Sequence, residues 1–282
     1  LLHLAGDFLF NSGHLGYEKV FLSPDIDMIS SPSCYRYRAL TDPSAFMLTQ
    51  KTLDRHNKLY FLEFDHITHV APTMINEPCA DIAGNSCLRE IPGAKSKCKD
   101  AAESLNLMWR DFILCYANGA ALWWFDMFDG WFRSDEMMGA IEKMIDLHRT
   151  LSQKEKQSIA QIAVYAEGES MYHVRKTSKI ATVCLSDMRR MFAEMGAPYD
   201  LYSIADIEVC DPNQYRFIIL LDAYDISDRH MQKIRELQKK GVTVLWMYAP
   251  DYAHDRKNCT EQISAAVEMQ VMEGDKSHGG VI

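Results

Sequence analysis

Residues 58–69 read KLYFLEFDHITH. Lys58 to Leu62 has the apolar character of a buried strand, and the strand ends by delivering Glu63, Asp65, His66 and His69 within a few residues. Side chains alternate along a strand, so Phe61, Glu63 and Asp65 are expected on one side and the two carboxylates share a face. A strand running into a solvated polar loop would look similar, and the neighbouring segments decide between the two.

AALWWFDMFDGWF (120–132) repeats the design: an apolar start, then Asp126, Asp129, Gly130 and Trp131. The helix expected before it, Glu103 to Tyr116, stops at Asn118-Gly119. Aromatic faces stack on the C–H faces of sugars while acids take hydroxyls, so Trp124, Asp126 and Trp131 are candidate carbohydrate contacts. The plainer alternative puts Trp123 and Trp124 in a core and leaves only Trp131 exposed. Upstream, Asp25 to Tyr35 reads as a short strand with Ser30, Ser31 and Tyr35 at its end, followed by Arg36 and Arg38. Leu1 to Phe10 could add a strand, and Gly16 to Leu22 a short helix. Strand, loop and helix in succession imply parallel strands with crossover helices.

Such units point to an α/β barrel, whose chemistry sits at the C-terminal strand ends. A complete barrel takes about 250 residues, whereas the barrel-like units end near Leu151, after a helix that Ser134 caps and His148-Arg149 closes. Half a barrel exposes two unpaired sheet edges. The chain is therefore expected to be a piece of a longer polypeptide, inactive and poorly soluble alone or borrowing strands from another chain.

The second half changes character. Ser158 to Glu167 is expected as a strand leading to Gly168, Glu169 and Ser170, then a helix from Thr182 to Met195 stopped by Gly196. Tyr215 to Leu221 (YRFIILL) reads as a buried strand ending at Asp222. Ser227 caps a helix to Lys240, and Val242 to Tyr248 (VTVLWMY) follows as another strand. This βαβαβ pattern suggests a small doubly wound sheet, with its boundary in the polar stretch that starts at Ser152. The expected fold class is thus α/β: the C-terminal part of a (β/α)8 TIM barrel over 1–152, then a flavodoxin/amidotransferase-like doubly wound domain over 153–282.

With 48% hydrophobic and 24% charged residues the chain has the composition of a globular protein. No apolar run approaches a membrane span. A net charge of −9 without a basic, aromatic-interleaved patch argues against nucleic acid and anionic membrane surfaces. The compartment is left open. Eight cysteines occur without a CxxC pair. Cys79, Cys87 and Cys98 could form a disulfide or join a metal site, although zinc-finger spacings are missing. Asp65, His66 and His69 read as sugar-binding or supporting groups rather than as a metal site, and no metal is assigned. An amidotransferase-like activity in the second half would need a cysteine on a Gly-flanked strand-to-helix turn. Neither Cys184, in ATVCLSDMRR, nor Cys210, before Asp211-Pro212, sits on one.

SPDIDMISSPSCYRYR, KLYFLEFDHITH and GAALWWFDMFDGWF resemble strands six, seven and eight of glycoside hydrolase family 42 β-galactosidases and their relatives. MRRMFAEMGAPYDLYSIADI and YRFIILLDAYDISDRHMQKIRELQKKGVTVLWMYAPDY are similar to the trimerisation domain that follows that barrel. The resemblance implies retaining hydrolysis of β-galactosides or related glycosides without a cofactor, in a homo-oligomer, by family a trimer. Glu63 matches the strand-seven nucleophile, with Tyr35, Asp65, His66, Trp124, Asp126 and Trp131 around the sugar. The family's Asn-Glu acid/base lies after strand four, which would precede residue 1. Asn76-Glu77-Pro78 falls after strand seven and reads as a coincidence. The alternative is a carbohydrate-binding or oligomerisation protein whose barrel has lost its chemistry.

Overall fold

The computed structural model describes residues 16–33, 39–72, 97–126, 129–154, 156–175, 180, 182–254 and 260–272. These form an α/β structure of alternating helices and two parallel sheets. The expectations for Leu1 to Phe10, Tyr35, Arg36, Arg38, Asn76-Glu77-Pro78, Cys79 and Cys87 lie outside the described residues.

The first sheet has the order β1 (Met28–Pro32), β2 (Leu59–Phe64), β3 (Ala121–Trp124), all parallel. Helix α1 (Tyr17–Phe21) precedes β1, α2 (Gln50–Arg55) and α3 (Ala101–Asn118) lie between the strands, and α4 (Asp135–Leu151) follows β3. This succession is consistent with part of a β/α barrel. Local chemistry sets the boundaries. Asp100 accepts from the Glu103 amide while Glu103 accepts from the Lys99 amide, satisfying two donors that the first turn of α3 leaves open. Gly119 ends α3 at φ 72°, a left-handed backbone that favours glycine. Ser134 caps α4 by accepting from the Met137 amide.

In-register neighbours of a parallel sheet share a face. Ile29, Ser31, Tyr60, Leu62 and Phe64 occupy the buried face. The opposite face carries Ser30, Phe61, Glu63, Ala121 and Trp123 and is the more open one, with Trp123 36% exposed. In a β/α barrel such a face would look inward.

The second sheet has the order β5 (Tyr199–Ser203), β4 (Ile162–Ala166), β6 (Phe217–Leu220), β7 (Thr243–Trp246), again parallel. Chain order reverses between β4 and β6, as in a doubly wound sheet. Helix α5 (Met188–Glu194) precedes β5, and α6 (Asp228–Lys239), capped by Ser227, crosses from β6 to β7. Helix α7 (Thr260–Val267) follows β7. Strands 215–221 and 242–248 pair in parallel as expected, over their middle residues. The strand expected from Ser158 starts only at Ile162, because Ser158 is tied to the Asp200 carboxylate at 2.6 Å and to the Ala160 amide, off the ladder. The expected helix 182–195 is π-helical over Thr182–Asp187 before α5 begins.

The two sheets share one apolar core. Tyr60 and Leu62 of β2 belong to the same buried cluster as Val164 of β4, Ile219 of β6 and Phe192 of α5. Polar contacts lock the join: the Thr52 hydroxyl accepts from the Ser203 amide at 2.7 Å, and Asp206 faces His56 at 3.0 Å and Arg55 at 3.9 Å. Arg55 also lies over the Tyr202 ring.

Candidate active site

Glu63 sits at the C-terminal end of β2, the middle strand of the first sheet, paired in register with Pro32 and Trp123. Its carboxylate is 8% exposed, and the Ser30 hydroxyl donates to Oε1 at 3.1 Å. Ser30 is one strand away on the same face, so the pleat that aims Glu63 also aims its partner. Trp123 lies beside Glu63 on that face, with its ring 6.0 Å from Phe61 and 5.2 Å from Phe125. A carboxylate, a hydroxyl and an accessible aromatic ring therefore meet at one strand end.

His66 takes a different role from the one its spacing suggests. It is 4% exposed and turns toward α3, where Nε2 lies 3.0 Å from Asp111 Oδ2 and 3.2 Å from Ser33 Oγ. Both contacts converge on one ring nitrogen, so the three groups do not form a serine–histidine–aspartate relay, which uses both nitrogens. Asp111 is fully buried, and Arg110 Nε donates to its Oδ1 at 3.0 Å. Burial alone would raise the Asp111 carboxyl. The hydrogen bond and charge of His66, with the Arg110 guanidinium, outweigh it and hold the pKa at about 2. Arg110 also donates to the carbonyls of Ala39 and Asp42, fastening the loop after β1. His69 likewise turns to α3, bonding Ser104 through its amide and Nδ1 at 3.0 Å. Asp65 is 6% exposed, just beyond the strand.

The aromatic expectations are rearranged. Trp131, expected at an open mouth, is 2% exposed and packs in a core cluster with Phe64, Phe132 and Met137. Trp124 is half-buried on the face opposite Glu63, its ring 5.3 Å from Phe64 and 5.8 Å from Phe132. Alternation is the reason: Trp123 faces Glu63, so Trp124 faces the helices. Asp126 is exposed and accepts from the Trp131 amide at 3.0 Å, closing the turn that buries that indole. Sequence reasoning missed Trp123, Ser33, Asp111 and Arg110. The register of β2 against β3 singles out Trp123, whereas Asp111 reaches the site from the middle of a helix and has no local signal.

No family model matches the chain, and no curated protein matches it. Among solved structures it is similar to the crystal structure of a beta-galactosidase from Bifidobacterium adolescentis, at 19% identity and a TM-score of 0.30. The match covers 35% of this chain and 45% of that one, so the chain spans less than half of the structure it matches.

The second sheet has its own strand-end carboxylates at the point where chain order reverses. Glu167 follows β4 and Asp222 lies just beyond β6; the Glu167 amide donates to Asp222 Oδ1 at 2.7 Å. Burial pushes the Glu167 carboxyl up to about 7, with the Glu18 charge adding to the rise against bonds from Ser170 and Glu169. Burial also raises Asp222, and the charges of Glu167 and Glu18 push it further. The Tyr17 hydroxyl, near the same carboxylates, has no hydrogen-bond partner among the described residues. Gly168 is required here, since a Cβ on it would lie 2.7 Å from the Tyr17 ring. Cys184 is buried in the π-helical turn and Cys210 is buried after a 3₁₀ turn; burial pushes both thiols up, the opposite of an activated nucleophile. Among the described residues no helix is long and apolar enough to cross a membrane.

Proposed function

We propose that the chain belongs to a retaining glycoside hydrolase acting on β-galactosides or related glycosides, with Glu63 as the nucleophile. The observation that carries this reading is the placement of Glu63: a carboxylate at the C-terminal end of a central parallel strand, on the open face, oriented by Ser30 and flanked by accessible Trp123. Ionised Glu63 attacks the anomeric carbon and forms a glycosyl–enzyme ester, which water then opens. A second carboxyl group about 5–5.5 Å away protonates the leaving oxygen and later activates the water. That acid/base lies outside the described residues. Trp123 stacks on the sugar, with Asp65, Asp126 and Tyr35 as hydroxyl contacts, while His66 positions the wall through Asp111. No cofactor is required.

In this proposal residues 1–152 carry the chemistry and residues 153–282 form an assembly module of a homo-oligomer, a trimer by resemblance, whose mass native mass spectrometry would read. The test of the chemistry is covalent trapping in the protein with a 2-fluoro glycoside, followed by peptide mapping. The label is expected on Glu63. A label on Asp65 or Asp126 would move the role, and turnover without any trapped ester would overturn the retaining mechanism.

A further inference from the structure

The loops after β4, β6 and β7 bring together His173, Asp225, Asp251 and His254, at the carboxyl ends of the second sheet, where doubly wound folds bind ligands. We propose that Asp225, Asp251 and His254 form a binding site for a divalent cation of the zinc class, with His173 positioning Asp225 from outside.

The distances fit such a site. His254 Nδ1 lies 3.3 Å from Asp225 Oδ1 and 3.4 Å from Asp251 Oδ1. These separations equal the edge of a tetrahedron: an ion with bonds of about 2.0–2.2 Å separates its ligand atoms by roughly 3.3–3.5 Å. One ligand atom from each of the three residues lies within 4.8 Å of the others. The donor set, two carboxylates and an imidazole, leaves a fourth position open, as zinc sites that bind a water or ligand do.

The surroundings hold the ligands in place. His173 Nε2 lies 3.0 Å from Asp225 Oδ2, the oxygen that does not face His254, which is how supporting groups fix a ligating carboxylate. The Ile226 amide donates to Asp251 Oδ1 at 3.2 Å. The two loops are stitched by Asp251 N to Ala223 O at 2.8 Å and Ala253 N to Tyr224 O at 2.7 Å, and Gln262 Nε2 holds the His254 carbonyl. A groove of about 490 Å³ along α6, lined by Met231, Arg235 and Glu236, opens on Asp251 and His254 and gives the ion a route in.

The test is titration of the chelator-treated chain with zinc chloride by calorimetry, and with cobalt chloride by visible absorption. One zinc per chain at micromolar or tighter affinity is expected, with the intense visible bands of tetrahedral cobalt. Asp225→Asn and His254→Ala should abolish both signals, and His173→Gln should weaken binding about 10–100-fold. Glu63→Gln, in the other sheet, should bind as the unsubstituted chain does, so this result stands apart from the glycosidase reading. Circular dichroism reports whether each variant folds. Should one fail to fold, zinc protection of His254 from diethylpyrocarbonate in the unsubstituted chain reads the same ligand. The proposal is overturned by absence of zinc binding, by undiminished binding in a folded Asp225→Asn/His254→Ala double variant, or by equal His254 modification with and without zinc.

Discussion

Each sheet has buried carboxylates near the C-terminal ends of its parallel strands, reached from helix α3 at the first sheet and from the strand ends themselves at the second, and the two sets are treated in opposite ways. At the first sheet, fully buried Asp111 stays charged because His66 and Arg110 flank it. At the second, Glu167 and Asp222 are equally enclosed, but their neighbours are Glu18 and each other, and neither has an ion pair among the described residues. Burial penalises the ionised form in both places. The sign of the nearest charge decides whether that penalty is overcome, so fold position alone does not set protonation.

The contrast can be broken most directly through activity. On the proposed chemistry, Glu63→Gln should keep the fold, since an amide oxygen can still accept from Ser30, and should reduce kcat/KM by roughly 10⁴-fold or more. Retained turnover in that variant would remove the first sheet's strand end from the chemistry.

Stability sharpens the contrast next. Asp111→Ala strands Arg110 and His66 beside an empty acceptor site, and the loss of one partner from a buried pair costs about 3–5 kcal/mol. Urea denaturation at neutral pH checks this; a change within a few tenths would mean that the pair is solvated. The Asp111 contribution is present above its ordinary value of 3.8 and is lost as pH falls through about 2.

Glu167 should respond to pH in the other direction. Its folded-state pKa is raised, so its contribution is full below the ordinary value of 4.5 and is lost as pH rises through about 7. The rise from 4.5 to about 7 corresponds to a loss of about 3 kcal/mol once Glu167 is ionised. Glu167→Gln should flatten that decline, measured as Tm across neutral pH. An identical slope in both proteins would mean that Glu167 does not carry its proton in the folded state.

The smallest effect is expected from Trp123→Ala. The side chain is 36% exposed, so Tm should change little while KM rises several-fold through loss of one stacking face. A collapse in stability instead would show the ring to be a core residue rather than a sugar platform.

Much of this architecture was legible from one chain. KLYFLEF gave its strand through continuous apolarity, and Ser134, Ser227 and Gly119 marked helix ends because capping is local chemistry among adjacent residues. Strand Tyr199–Ser203 did not stand out, and what makes it a strand is pairing with β4 at the sheet edge. The short helices Gln50–Arg55 and Thr260–Val267 were likewise invisible, being too brief to repeat an apolar period. Alternation gave the face that Glu63 takes, while Trp131 was misplaced, since its burial depends on the contact that Asp126 makes with its amide.

By itself the sequence determined where strands end in carboxylates, which face Glu63 takes, and where helices begin and stop. These follow from periodicity and capping, which reach across a few residues. Tertiary structure alone decided that His66 serves Asp111, that Trp123 rather than Trp124 accompanies Glu63, that burial raises the Glu167 carboxyl, and that four groups from three loops converge at Asp225. Each depends on groups far apart in the chain meeting in a low-dielectric interior, where distance in space sets both the charge state and the partner.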